Sequence, residues 1–451
     1  MAIIRSSRKS IKVTPKLYTL LDDDNIKLQL GQYLMTPALL VDKSINTSSI
    51  LVSSSLLMKN LSISHNVYPA FHKLNYRLLP EKIIKAGPVV GVLMARKNRG
   101  EYPLPVAREA RIYQEMSLQA AKKNIFLYLF YADGVDWKRQ IINGHIYLSH
   151  APRKGKWFRA SFCLPDIVYN RISYRSKEDT KVVQEFMQNA RKSSIYIFNS
   201  RFLNKWEVHQ CLVNDPLTRH FVLETDAYSK DNLDKYLEKY KEFFIKPVAS
   251  SLGKGIIKII SSQPNAIEYF RLGKSSGWQT CHSKGKLYNL LGIVEAGKYI
   301  LQKGINLASI GNRIFDIRAQ IQKNGQGNWQ FTGSAVRLAA AGKFVTHVPN
   351  GGSKRDYHLT LNQVFGHSSH ITTSLDRQLK TICQVVPRVL EERLGINLAV
   401  LSLDIGIDQA GQMWIIEVNS KPASFDEDPI RQRHLDLLTD YFMHKSNFGV
   451  Q

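Results

Sequence analysis

The chain has 451 residues, which is long enough for two or three domains with a sizeable core. Hydrophobic residues make up 44% of it and charged residues 22%, an ordinary balance for a globular protein. No apolar run approaches the length that spans a bilayer, and the basic start MAIIRSSRKS lacks the apolar stretch of a secretory signal. The sequence therefore predicts a cytoplasmic protein without a membrane span.

The net charge of +25 permits binding to polyanions such as nucleic acid. The excess is diffuse, because residues 1–90 alone hold 12 Lys and Arg against 5 Asp and Glu. The densest basic stretch, PRKGKWFR at 152–159, is interpreted as a solvated loop, so nucleic-acid binding is disfavoured. The four cysteines lie far apart without metal-binding spacing, and we expect reduced thiols.

Three segments follow one another along the chain. Short apolar runs separated by Ser, Asn and Pro predict a small β-rich domain over residues 1–86. Buried strands then alternate with helical patterns, which predicts a wound α/β domain over 87–198, with Asn143-Gly144 at the turn of a hairpin. From residue 199 the elements no longer alternate cleanly, so an α+β domain is predicted over 199–451.

The stretch SLDIGIDQAGQMWIIEVNSKP, residues 402–422, predicts a β-hairpin with polar groups inside it. With a two-residue loop at Ala410-Gly411, Asp404 lies opposite Glu417 across the hairpin. A four-residue loop keeps this arrangement, whereas a three-residue loop would break it. Asn419 shares the face of Glu417, because strand side chains alternate.

Three oxygen-donating side chains on one face suit Mg²⁺, which prefers carboxylates, water and phosphates. Two buried carboxylates without partners would be costly, and a bound cation would compensate them. The opposite face is predicted to pack on a core through Leu403, Ile405, Ile407, Trp414, Ile416 and Val418. An edge hairpin with solvated acids is the alternative, and the hairpin alone leaves both open.

The stretch EFFIKPVASSLGKGIIKI, residues 242–259, predicts a strand, a small-residue loop and a second strand. Its glycines let backbone N–H groups approach an anion, its serines add donors and its lysines add charge. These residues are Lys246, Ser250, Ser251, Gly253, Lys254 and Gly255. A Walker A loop does not fit the spacing. Alone the stretch is interpreted as a structural turn; with the carboxylate hairpin it composes an Mg-nucleotide site.

Together the two stretches resemble the ATP-grasp superfamily, with the glutathione-synthetase-like metal motif DIGID…WIIEVNSKP. More closely, the chain is similar to the YheC/YheD family of endospore coat-associated proteins over nearly its whole length. The segments that carry this resemblance are AGPVVGVLMA, LPDIVYNRI, NKWEVHQCL, FIKPVASSLGKGI, YILQKGINLA, RIFDIRAQIQKN, GNWQFTGSAVRLA and EVNSKPA. The resemblance implies an ATP-grasp domain preceded by a pre-ATP-grasp-like α/β domain and the small β-rich domain.

The resemblance also implies a nucleotide site between two α+β lobes. Lys205 and Lys246 would be the nucleotide-binding lysines, with the loop 250–255 folded over the phosphates. Adenine would contact the backbone of Gln302 and Lys303 in the segment 299–305, which ends at Ile305. Lys205 has a plainer interpretation as a charge at a helix N-terminus.

The remaining implied residues concern the metal and the transferred phosphoryl group. Asp404, Glu417 and Asn419 would hold one or two Mg²⁺ ions. Arg318 and Arg337 would lie near the phosphoryl group, although Arg318 also has a plainer interpretation as the partner of Asp316.

The implied activity is that of an ATP-dependent carboxylate–amine ligase, in which ATP phosphorylates a carboxylate and an amine attacks the acyl phosphate. Such chemistry needs positioning and charge neutralisation more than a covalent nucleophile. The rival is a non-catalytic nucleotide-binding structural protein of the endospore coat, with coat proteins as partners. His347 stands where the related ligases usually carry Asn, which concerns the unknown acid and amine rather than ATP.

Overall fold

The computed structural model describes residues 9–21, 26–59, 71–96, 107–149, 155–250, 253–263, 266–272, 277–291, 297–346, 351–366 and 369–448. The chain forms two compact units. The first comprises residues 1–201, 322–328 and 423–451, and the second comprises 202–321 and 329–422. The first unit thus includes C-terminal residues that belong to the predicted third domain; the three-domain division itself stays a prediction.

Strands make up most of the regular structure. In chain order they are β1 (Ser10–Val13), β2 (Lys27–Leu30), β3 (Tyr33–Met35), β4 (Ala38–Val41), β5 (Ser49–Ser53), β6 (Met58–Lys59), β7 (Phe71–Leu79), β8 (Ile83–Gly87), β9 (Val89–Met94), β10 (Phe126–Asp136), β11 (Ile141–Leu148), β12 (Lys156–Cys163), β13 (Ile167–Asn170), β14 (Tyr196–Phe198), β15 (Thr225–Ala227), β16 (Glu242–Pro247), β17 (Ile257–Gln263), β18 (Ala266–Arg271), β19 (Gln279–Cys281), β20 (Tyr299–Lys303), β21 (Ser309–Ile310), β22 (Arg313–Lys323), β23 (Trp329–Leu338), β24 (Ser353–Arg355), β25 (Val400–Ile407) and β26 (Met413–Asn419).

The helices are fewer and lie between the strands. In chain order they are α1 (Pro15–Leu21), α2 (Ser54–Leu57), α3 (Ala107–Lys122), α4 (Arg175–Glu178), α5 (Lys181–Lys192), α6 (Lys205–Val213), α7 (Lys230–Lys239), α8 (Lys284–Leu291), α9 (Tyr357–Phe365), α10 (Ser369–Leu394) and α11 (Asp428–Lys445). Within the described ranges, each helix is too short or too polar to cross a bilayer.

The first unit contains two seven-stranded sheets, with strand orders β3-β2-β8-β7-β5-β1-β4 and β14-β13-β9-β10-β11-β12-β6. Strands β14, β13, β9 and β10 are parallel neighbours, as expected of a wound α/β arrangement. One cluster of buried apolar side chains extends from Ile11 in the first sheet to Ile197 in the second. The β-rich segment and the α/β segment therefore share a core.

The predicted hairpin turn at Asn143-Gly144 is wrong. Strand β11 runs straight through these residues and pairs with β10 on one side and β12 on the other. Gly144 is needed there for space, because a Cβ at this position would lie 2.4 Å from the Leu129 carbonyl oxygen. Asn143 accepts a hydrogen bond from Ser161 Oγ (2.8 Å). A strong turn dipeptide thus serves close strand packing instead.

The second unit contains two six-stranded sheets. One is antiparallel, in the order β15-β20-β16-β17-β18-β19, and the other has the order β24-β23-β22-β25-β26 with β21 added on β22. Each sheet has its own apolar cluster, one centred on Phe243 and Ile245 and the other on Leu403 and Ile405. The predicted α+β class is confirmed, and the two predicted motifs lie on different sheets.

Candidate functional site

The β25–β26 hairpin places Asp404 directly opposite Glu417, as predicted. The loop nevertheless has three residues, because Asp408 N–H donates to the Gln412 carbonyl across it (3.0 Å). Such a loop alone would put the two carboxylates out of register. A β-bulge next to Asp404 and Ile405 absorbs the extra residue and restores the pairing.

The bulge also changes which side chains of β26 reach the core. Met413 and Ile415 lie in the apolar cluster, together with the predicted Leu403, Ile405, Ile407 and Val418. Trp414 is half-buried and donates its Nε1–H to Asp408 Oδ2 (2.9 Å), while Ile416 lines a cavity. The predicted core positions of Trp414 and Ile416 are wrong, because the three-residue loop shifts the alternation by one residue, and the bulge shifts it back only before Val418.

That cavity has a volume of about 540 Å³ and is lined by residues from both sheets of the second unit. This size lies within the range of small-molecule sites. Lys205, Lys246, Arg337, Asp404 and Glu417 all line it. The structure thus brings the predicted lysines and carboxylates into one space.

Lys205 connects the glycine loop to the hairpin. It is the first residue of α6, whose N-terminus is capped by the Asn204 side chain. Its Nζ donates to the Ser250 carbonyl (2.6 Å) and lies 3.0 Å from Glu417 Oε1. A helix-terminal charge without a specific partner is therefore not its role in this structure.

Lys246 is buried at the end of β16, with 8% of its surface exposed. Its Nζ donates to Gln302 Oε1 (2.5 Å). Burial, which disfavours the ammonium, lowers the pKa of Lys246 from 10.5 to about 8; Glu417 raises it and Lys205 lowers it further. Lys246 is therefore a cation that can lose its charge near neutral pH.

The two glycines of the loop after β16 have a backbone conformation that other residues rarely adopt. Gly253 and Gly255 have φ of +72° and +76°, a region that favours glycine. Gly253 lines the cavity, whereas Lys254 is exposed. Ser250 is the only one of the two predicted serines that can be described, and Ser251 lies outside the described residues. So does His347.

Both predicted arginines are tied to carboxylates. Arg318 donates to Asp404 through Nε and Nη2 (2.9 and 3.0 Å), not to Asp316. Arg337 donates to Asp316 in the same two-fold manner (2.8 and 2.5 Å), and its Nη2 lies 3.0 Å from Asp404 Oδ2. Burial lowers the pKa of Arg337, but Asp404 and Asp316 outweigh it and raise that pKa overall. Asp404 thus binds two guanidinium groups.

One donor of this network remains unused. Within the described part of the chain, Nη1 of Arg337 is buried and has no hydrogen-bond partner. Arg337 lines the cavity, whereas Arg318 is not among the described lining residues. An unpaired buried N–H is costly, so an anionic oxygen in the cavity would stabilise it.

The segment predicted to contact adenine also lines the cavity, through Gln302, Lys303 and Ile305. The backbone N–H of Lys303 already donates to the Glu224 carbonyl (3.0 Å). The Gln302 backbone lies within β20, between β15 and β16. In this arrangement Gln302 meets Lys246 in the cavity through its side chain rather than through its backbone N–H.

The carboxylate pair fits a magnesium ion in part. Asp404 and Glu417 are hard oxygen donors that both line the cavity. Asn419 is half-buried opposite Ser402 and is not among the described lining residues. Among the described residues no group of three His, Cys, Asp or Glu is placed to hold a metal. Phosphate oxygens or water would have to complete the coordination.

Sequence reasoning missed Asp316 and Thr346 as parts of the site. Asp316 binds Arg337, and Thr346 Oγ1 donates to Asp316 Oδ2 (2.6 Å). Alternation in the strand FDIR puts Asp316 and Arg318 on one face, which is a signal that points to a shared site. No local pattern indicates which arginine meets which carboxylate.

Comparison with known proteins identifies the family of this chain. The sequence model of a family described as "YheC/D like ATP-grasp" matches residues 194–445. The chain therefore belongs to the YheC/D-like ATP-grasp family, and the predicted family and fold are confirmed.

Two relatives come from Bacillus subtilis (strain 168). Endospore coat-associated protein YheD is 25% identical over 372 residues, covering 80% of this chain and 78% of that protein. Endospore coat-associated protein YheC is 25% identical over 268 residues, covering 59% and 73%. Among solved structures, D-alanyl-alanine synthetase A from Vibrio cholerae O1 is 12% identical and covers 80% of this chain and 97% of that chain, with a TM-score of 0.46.

Proposed function

We propose that the chain binds Mg-ATP in this cavity and uses it to join a carboxylate to an amine. The observation that carries the proposal is the 3.0 Å contact between Lys205 Nζ and Glu417 Oε1. It brings the phosphate-loop side and the metal-carboxylate side to one point. Family membership supports the binding of a nucleotide. The residues around this contact supply the charges that a triphosphate needs.

The chain's own residues would act mainly by charge. The ammonium groups of Lys205 and Lys246 neutralise phosphate oxygens, and backbone N–H groups near Gly253 approach the same oxygens. Arg337 offers its unused Nη1–H to an oxygen at the reacting end. Asp404 and Glu417 would hold Mg²⁺, which supplies further neutralisation when bound.

The reaction balances in two steps. A substrate carboxylate oxygen takes the terminal phosphoryl group of ATP and ADP leaves. The amine nitrogen then attacks the acyl carbon, forming an amide, and phosphate and a proton are released. Phosphoryl transfer depends on positioning and electrostatic stabilisation, which the fixed cations of the cavity provide.

A structural role in the endospore coat is the second candidate, because both relatives are named as coat-associated proteins. In that role the protein would bind nucleotide without turnover, and coat proteins would be its partners. The two candidates share the nucleotide site and differ in product formation.

The deciding experiment measures ADP release from Mg-ATP with purified protein and a panel of amino acids and peptides, with mass spectrometry of products. Glu417→Gln should lower ADP release about 100-fold, because a lost metal ligand removes several kcal/mol of transition-state stabilisation. Glu268→Gln, an exposed carboxylate on β18, is the matched control and should leave the rate unchanged.

Full ADP release in Glu417→Gln would contradict the ligase proposal. Nucleotide binding without an amide product from any member of the panel would favour the structural role in the coat. Equal thermal stability of the two variants without ligand would show that the loss is not due to unfolding.

A further inference from the structure

Three buried polar side chains of the second unit form a chain that ends at the ammonium of Lys246. Lys246 Nζ donates to Gln302 Oε1 (2.5 Å), and Gln302 Nε2 donates to Thr225 Oγ1 (3.2 Å). Their exposed fractions are 8%, 7% and 5%. The three residues come from neighbouring strands, β16, β20 and β15, so the sheet itself fixes their spacing.

The direction of this chain is determined by its far end. Thr225 Oγ1–H donates to the Leu223 carbonyl (2.9 Å), so the hydroxyl proton is already used. The Thr225 oxygen can then only accept, and the amide nitrogen of Gln302 must face it. The amide oxygen is left for Lys246, which fixes an orientation that a glutamine otherwise leaves ambiguous.

Such a chain of hydrogen bonds contributes little to packing. Buried polar groups cost free energy unless they are paired, and apolar residues of similar size could fill the same space. What the chain does achieve is to hold one flexible, four-carbon side chain in one position. Within the described residues, Lys246 Nζ has Gln302 Oε1 as its hydrogen-bond acceptor.

The charged groups that act on Lys246 come from two other elements. Glu417 on β26 and Lys205 on α6 both influence it, in opposite directions. His209 on α6 lines a small cavity with Lys246, and burial lowers the pKa of His209, which favours its neutral form. Gln302 is an uncharged hydrogen-bond acceptor, so it orients Lys246 without cancelling its charge.

We propose that the side chain of Gln302 is a positioning residue, which aims Lys246 Nζ at the ligand of the cavity and is itself oriented by Thr225. This rests on the proposed function, in that the ligand is a nucleotide. It differs from the predicted role of Gln302, which was a backbone contact to adenine.

The test uses ADP without metal, so that the magnesium residues do not enter. Calorimetry of the full chain gives the ADP dissociation constant between pH 7 and 9.5. Gln302→Met keeps the length of the side chain and removes the acceptor; Gln302→Glu replaces it with a charged acceptor. Gln322→Met, a buried amide of the first unit bonded to the His434 backbone, is the matched control.

In the unsubstituted protein, affinity should fall as the pH rises through about 8, where Lys246 loses its proton. Gln302→Met should weaken ADP binding about tenfold at pH 7.5, the effect of one charge-assisted hydrogen bond, and should move the midpoint to lower pH. Gln302→Glu should move it to higher pH. Thr225→Val should have the same sign as Gln302→Met with a smaller effect, about threefold.

Midpoints that coincide in Gln302→Met, Gln302→Glu and the unsubstituted protein, with ADP still bound, would overturn the inference. Should Gln302→Met fail to fold, Gln302→Glu and Thr225→Val give the same decision. If the unsubstituted protein binds no ADP at any pH, the proposed function fails instead.

Discussion

The site holds its arginines and its lysines in different ways. On the arginine side, Arg318 and Arg337 each donate two hydrogen bonds to a carboxylate, Asp404 or Asp316. On the lysine side, Lys205 and Lys246 make single contacts, chiefly with a backbone carbonyl, one oxygen of Glu417 and the neutral Gln302.

The difference follows from the chemistry of the two cations. A planar guanidinium matches a carboxylate with two parallel hydrogen bonds and keeps its charge at any pH, so it suits a fixed framework. An ammonium on a flexible stem has three N–H donors and makes single contacts, so it can add a phosphate oxygen to the partners it has. The arginine side is therefore rigid, and the lysine side can gain partners on binding.

The largest effect on stability is expected on the arginine side. Asp316→Ala removes the two-fold partner of a buried Arg337 and should lower the free energy of unfolding by about 3–5 kcal/mol. Asp133→Ala, which removes the partly exposed partner of Arg96, should cost about 1 kcal/mol or less. Urea denaturation of both variants measures this. If both variants lost the same free energy of unfolding, the Arg337–Asp316 contact would be no more than an ordinary ion pair.

A smaller effect on stability is expected on the lysine side, where it depends on pH. The folded pKa of Lys246, about 8, lies below the unfolded value of 10.5. Between these values the unfolded chain binds a proton that the folded chain has released. Stability should therefore rise by roughly 3 kcal/mol as the pH increases through this window, while ADP affinity falls.

Lys246→Met supplies the control for this pH dependence. The difference in unfolding free energy between it and the unsubstituted protein should change with pH between 8 and 10.5. A difference that stays constant would mean that Lys246 keeps its proton throughout, and the lysine side would then resemble the arginine side.

The smallest effect concerns Lys258, which also lies on the lysine side. Its Nζ is 2.8 Å from Glu242 Oε2, and Glu242 is about one-third exposed. Glu242→Gln should cost about 1 kcal/mol or less, because solvent screens the pair. A loss as large as that of Asp316→Ala, measured by the same denaturation, would show that single contacts to lysine can also form a rigid framework.

Much of the candidate site could be predicted from local pattern. The polar and apolar pattern of two short strands predicts a hairpin that carries Asp404 and Glu417, and the structure has this hairpin. The glycines at 253 and 255 predict a backbone that can approach an anion closely, and both have a positive φ, which glycine adopts readily. The family is readable because its motifs are local segments of sequence. The roles of the individual residues stay predictions that the experiments above decide.

Other features depend on groups that are distant in sequence. The expected two-residue loop is a three-residue loop, and only the bulge at Ile416 restores the carboxylate pairing. Asn143-Gly144 favours a turn locally, yet neighbouring strands on both sides keep it extended.

By itself, then, the sequence determined the fold class, the strand–loop–strand pattern of both motifs and the types of charge brought to the cavity, since these follow from periodicity and side-chain chemistry. Only the tertiary structure decided which arginine meets which carboxylate, and that Gln302 meets Lys246 through its side chain. The distance between residues on neighbouring strands determines which hydrogen-bond partners can meet. That distance is fixed only once the sheets have formed.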